Sequence, residues 1–176
     1  MSVQTTYDAA PVAEEGLRAG HGAYSAESGV AEGSAVRFGA AVILGTGDHK
    51  YSLPDTADAL GNGATTAAYA GIVSRENEYA TDQTALVTPV GDGETAYVAE
   101  GGLLNVVTTG DVWVRVEDAV TRGSAAFYRT ESGAGGDILG AIRSDADTAT
   151  AVEIPNSQFD TDADAGALVL LKLNQS

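Results

Sequence analysis

Three aspartates at alternate positions, Asp160, Asp162 and Asp164 in FDTDADAG, form the most metal-like grouping in the chain, because alternate carboxylates open the ligand run of a calcium loop. The remainder of that loop is missing. Its turn glycine should follow the third acid directly, yet Ala165 intervenes before Gly166, and the place of the closing bidentate glutamate falls on Leu171 in an apolar run. We therefore read a solvated acidic turn. GTGDHK, after the apolar AVIL, could begin a phosphate-binding turn, but Lys50 stands where the last glycine is needed and no helical pattern follows. His21 and His49 are isolated in polar, glycine-rich surroundings, and no serine lies beside a histidine that could act as its base. Glycosidases use pairs of carboxylates, and pairs such as Asp145 with Asp147 are plentiful here, but among 25 acids such pairs arise by chance. No catalytic residue, metal or cofactor is expected.

One grouping points elsewhere. In TGDVWVRVEDAV, residues 109–120, strand alternation puts Val112, Val114 and Val116 on one face and Trp113, Arg115 and Glu117 on the other. The valines read as the core face. The chain's only tryptophan then stands among charges, either covered by a loop or arm of its own chain or kept for another subunit. Burying a large aromatic removes about 150–250 Å² from water, a gross gain of about 4–6 kcal/mol at about 25 cal/mol per Å². An indole flanked by an arginine and an acid matches the composition of interface hot spots.

The elements that must hold this face are short strands. Apolar runs at SAVRFGAAVIL, AYAGIVS, QTALVTPV, ETAYVAE, GLLNVVTT, the Trp113 segment, SAAFYRT, GDILGAIR, TAVEIP and ALVLLKLN are separated by glycine-rich turn signals, among them GDG at 91–93, TGD at 109–111 and SGAGGD at 132–137. That spacing predicts an all-β sandwich or barrel. LPDTADALGNGATTAAYA, with Asp55 as a cap, is cut by Asn62-Gly63 and supports at most one short helical turn. Residues 1–33 have neither a helical nor a strand period and read as an extended N-terminal arm or a disordered tail; residues 34–176 read as a single β-domain.

Composition limits what this domain can do. The hydrophobic fraction is 44%, but 31 residues are alanine and only 37 are Leu, Ile, Val or Phe, so the core must be thin and association with other chains would help it. With 25 acids against 9 bases the formal charge is −16, which repels phosphate and makes nucleic acid and anionic membranes poor partners. There is no cysteine, which excludes disulfides and thiolate chemistry. The N-terminal MSVQTTYDAAPVAEEGLRAG has no basic region followed by an apolar one, so we expect a chain made in the cytoplasm without membrane insertion.

The order of QTTYDAAPVA, AVRFGAAVILGTGD, YAGIV, GLLNVVTTGDVWVRVEDAVTRGSAAFYR and IPNSQFDTDADAGALVLLKLN resembles the structural cement proteins of tailed-bacteriophage capsids. The most specific pieces are VWVRVEDAVTRG and the closing acidic turn before an apolar strand ending in LN. The resemblance implies a jelly-roll-like β-domain that forms a homodimer or homotrimer on the outer surface of the virion and clamps neighbouring major capsid protein subunits. On that reading Tyr7, Pro11 and Trp113 are apolar anchors, and Arg115 and Glu117 fix register. A β-module binding a receptor or carbohydrate would instead use exposed aromatics as a stacking platform. An enzyme on the same scaffold would need acids converging in a pocket.

A charge of −16 on a lysine-poor chain favours high ionic strength, which screens self-repulsion within a few Å. The melting temperature is expected to rise steadily with NaCl; a flat series would show that repulsion does not limit stability.

Overall fold

The computed structural model describes residues 15–19, 23–54, 68–75, 87–88, 97–131 and 138–174. The strands are β1 (Ser25–Ala31), β2 (Val36–Arg37), β3 (Ala41–Leu44), β4 (Lys50–Ser52), β5 (Tyr69–Ser74), β6 (Val87–Thr88), β7 (Tyr97–Val98), β8 (Leu103–Arg115), β9 (Phe127–Arg129), β10 (Ile142–Arg143), β11 (Ala151–Glu153), β12 (Ser157–Phe159) and β13 (Leu168–Asn174). A short 3-10 turn lies at Asp147–Ala149. No helix there is long and apolar enough to cross a membrane. The fold is all-β.

The main sheet runs β1-β4-β3-β5-β8-β13-β12, and a further pairing of β1 with β8 closes its first five strands into a barrel. β9 lies between β10 and β11 in one small sheet, and β7 between β2 and β6 in another. Gly39, at φ +75°, turns β2 into β3.

β8 organises the barrel because both of its edges are occupied. β1 lies opposite Leu103–Thr109, β5 opposite Asn105–Val107 and β13 opposite Thr109–Arg115. Residues 16–19 pair with the later part of the strand: Gly16 donates to the Trp113 carbonyl, the Trp113 N–H to Leu17, and Ala19 to Asp111.

Two apolar clusters lie on opposite faces of β8. Leu104 and Val106 join Val42, Tyr51, Ala70 and Val73 in one, while Val107, Val112, Val114 and Val116 join Ile43, Ile72, Tyr128, Phe159 and Leu171 in the other. Odd-numbered Val107 and even-numbered Val112 share a face because the strand contains an extra residue. Ala26 pairs with Val107 and Ser25 with Thr109, leaving Thr108 as a bulge that reverses the alternation.

Two expectations are corrected here. The turn expected at Thr109-Gly110-Asp111 is absent, and 103–115 is one strand of 13 residues. Gly110 takes φ +125° within the strand, and a Cβ would also stand 3.1 Å from the Tyr24 ring and 3.3 Å from the Ala23 carbonyl. Residues 25–31, placed in the arm by their polar side chains, form β1 within the main sheet. The sheet is satisfied there by backbone pairing on both sides, and Gly29 leaves the room that the Tyr51 ring fills.

Tyr69 is fully enclosed beside Tyr128, with ring centroids 5.5 Å apart, and its hydroxyl has no hydrogen-bond partner among the described residues. Burial drives its ionisation far above the ordinary tyrosine range. Removing a buried, unmatched hydroxyl relieves its desolvation. Tyr69→Phe is expected to raise the unfolding free energy by about 1 kcal/mol in urea titrations, and a loss of that size would mean the hydroxyl has a partner after all.

Candidate functional site

After the bulge, the face of β8 that carried Leu104 and Val106 continues as Trp113 and Arg115, with Glu117 just beyond the strand. The predicted alternation holds: Val112, Val114 and Val116 are buried, while Trp113, Arg115 and Glu117 are each part-exposed. The segment running beside Trp113 is the chain's own, through the hydrogen bonds of Gly16 and Leu17 to its backbone. Arg18 closes this contact by stacking on Tyr24, 4.3 Å from the ring centre. Tyr7 and Pro11 lie outside the described residues.

Arg115 is tied to its own chain. Its Nη1 donates to the Gly166 carbonyl at 2.6 Å, and its Nε lies 3.6 Å from Glu15 Oε2. Glu15, almost fully buried, also faces Arg37 Nε at 3.9 Å. Burial lowers the proton affinity of Arg37 below the ordinary arginine range, with Glu15 acting in the opposite sense.

Glu117 is the hub of a denser network. Its Oε2 accepts from Arg129 Nε at 2.7 Å and from Arg143 Nη1 at 3.4 Å. Asp147 Oδ2 accepts from Arg143 Nη1 at 2.9 Å and Arg129 Nη2 at 3.1 Å, and Asp145 Oδ1 from Arg143 Nη2 at 3.0 Å. Both arginines are buried, so each needs these carboxylates to offset the loss of water. Asp147 titrates below the ordinary range because Thr150 donates to it and the two guanidiniums lie beside it. The 145/147 pair, uninformative as sequence, thus neutralises buried cations. Arg37, Arg129, Arg143 and Glu15 did not stand out in the sequence. Arg129 and Arg143 do end apolar strands in an acid-rich chain, and a cation in such a strand needs a partner.

The other acids also serve the chain internally. Asp160 accepts from Lys172 at 2.7 Å and is held below the ordinary range chiefly by that bond; Asp162 accepts from the Arg122 N–H at 2.8 Å. At GTGDHK, Glu32 binds Lys50 Nζ and both the N–H and hydroxyl of Thr46, which lowers its pKa to about 2, with the Lys50 bond the largest cause. That segment is a strand-ending turn, with Gly45 donating to the Lys50 carbonyl. Between the two arginine pairs opens a cleft of about 470 Å³ lined by Arg37, Arg115, Arg129, Arg143, Glu117 and Ile138 among others.

Guanidiniums locked to carboxylates of the same chain hold loops to strands, which is the organisation of a structural β-module. The model of the structural cement protein family (E217 gp24/Pam3 gp6) matches residues 3–174, and the chain belongs to that family. Its role is structural. A chain from the solved capsid of Myoviridae phage XM1 has the same fold, with a TM-score of 0.62 at 12% identity over 99% of this chain and 98% of that one. No curated protein matches.

Glu117→Ala leaves two buried guanidiniums short of an acceptor and is expected to lower unfolding stability by about 2–3 kcal/mol. Arg122→Ala, whose side chain is 73% exposed, should cost less than about 0.5 kcal/mol. Similar losses from the two in denaturant titrations would show that the network contributes nothing beyond surface pairing.

Proposed function

We propose that this chain is a cement protein of a tailed-phage head, binding the outer surface of the shell and clamping neighbouring major capsid protein subunits. Membership of the structural cement family over residues 3–174 carries the reading. The geometry supports it. Residues 15–19 are pinned to the β8 edge, so residues 1–14, with Tyr7 and Pro11, begin from a fixed point on the barrel and supply the arm that reaches a neighbour. Trp113 presents part of its indole beside that point, with Arg115 next along the face as the residue that sets register. Glu117 acts on that register by holding Arg129 and Arg143.

A charge of −16 keeps the protein off nucleic acid and off anionic membranes, which suits a place on the outside of a DNA-filled shell. The reading assigns it no catalytic step and no cofactor. Self-association as a homodimer or homotrimer would multiply weak contacts, and many copies on one shell then resist bursting with modest affinity per copy. The virion is its site of action after synthesis in the host cytoplasm.

The test mixes purified protein with heads assembled without it and sediments them. Wild type is expected to pellet with the heads, and both Trp113→Ala and deletion of residues 1–14 to weaken binding about tenfold or more. Protein that stays in the supernatant in near-native salt but pellets with a polysaccharide array would replace this reading with that of a carbohydrate-binding module.

A further inference from the structure

The four arginines of the cleft are unequally matched. Arg129 and Arg143 share Glu117 and Asp147, and Arg143 has Asp145 as well, so that side is fully neutralised. Among the described residues Arg37 and Arg115 have Glu15 as their one carboxylate, at 3.9 and 3.6 Å, both beyond hydrogen-bond length, while Arg115 also donates to the Gly166 carbonyl. Arg37 Nε is buried with no hydrogen-bond acceptor among the described residues. Both side chains line the cleft. A desolvated guanidinium with an unused donor is costly unless an acceptor reaches it.

We propose that the Arg37–Arg115 end of this cleft is a binding site for the acidic side chain of a neighbouring polypeptide, whose carboxylate would complete the coordination that Glu15 begins. Two guanidiniums against one carboxylate leave one positive charge for an incoming monoanion. The walls select the class. Ile138, 47% exposed, offers apolar surface to a short hydrocarbon stem. Glu117, Asp118 and Asp147 line the same cleft and repel a dianion such as phosphate. A glutamate side chain has one charge and the required stem. Because the chemistry concerns the free protein, the proposal stands or falls separately from capsid binding.

The experiment titrates the full-length protein with sodium propionate, the side chain of glutamate as a free acid, against NaCl at equal ionic strength. Arginine Nε–H resonances are followed by NMR, with that of Arg37 assigned by its disappearance in Arg37→Lys. The Arg37 resonance is expected to shift and saturate with propionate, with a response to phosphate at least severalfold weaker. In Arg37→Lys the accompanying shift of Arg115 should need roughly tenfold more propionate. If that variant fails to fold, Arg115→Lys assigns the other resonance, and the wild-type titration still decides. An Arg37 resonance that moves no more with propionate than with chloride, tighter binding of phosphate, or an unchanged Arg115 response in Arg37→Lys would each overturn the proposal.

Discussion

Backbone pairing along both edges of β8 is the constraint on which the rest of this structure depends. One strand of 13 residues joins the barrel strands β1 and β5, the C-terminal β13 and the N-terminal segment 16–19. The Thr108 bulge lets it serve two apolar clusters, since without the extra residue Val112, Val114 and Val116 would face away from the cluster that Val107 enters. A chain with so few large apolar residues gains from this arrangement. Each half of β8 buries its valines or leucine against a different set of neighbours, so one strand does the packing of two.

Charge follows the same economy. Most cations of an acid-rich chain would find partners anywhere, yet Arg129 and Arg143 are buried, where only well-placed carboxylates make a guanidinium tolerable. Glu117, just beyond β8, and Asp147 in the 3-10 turn each reach both guanidiniums with a single carboxylate. The network therefore locks β9, β10 and the 3-10 turn at Asp147 to the end of the strand that organises the barrel. Arginine suits this task because its planar fork donates in several directions at once, which a lysine at either position could not do.

What the sequence made legible was periodic, and what it hid was relational. Alternation at 112–117 told the faces of β8 correctly because apolar and polar residues strictly take turns there. Gly110 was read as a turn because sequence does not distinguish a glycine with positive torsion in a loop from one that takes φ +125° inside a long strand beside Tyr24. β1 escaped because SAESGVA has a single large apolar side chain, Val30, and is held mainly by its backbone on two sides. Glu15 and Arg37 are 22 positions apart in sequence, and nothing in either neighbourhood announces that they meet. The family resemblance, which rests on the order of whole segments, carried further than any single motif.

The N-terminal segment is attached to the barrel at several points at once. A pull on residues 1–14 must pass through residues 15–19 before it reaches the barrel. Four backbone hydrogen bonds hold that segment: Gly16 and Ala19 donate to β8, Trp113 donates to Leu17, and Arg75 donates to Gly16. Glu15 adds its contacts to Arg37 and Arg115 on one side, and Arg18 its stacking on Tyr24 on the other. Because the partners belong to β8, to Arg75 just after β5 and to the segment before β1, force on residues 15–19 is divided among three parts of a closed barrel. A segment held by a single contact would peel away; one built into a strand edge shares the strain with the sheet.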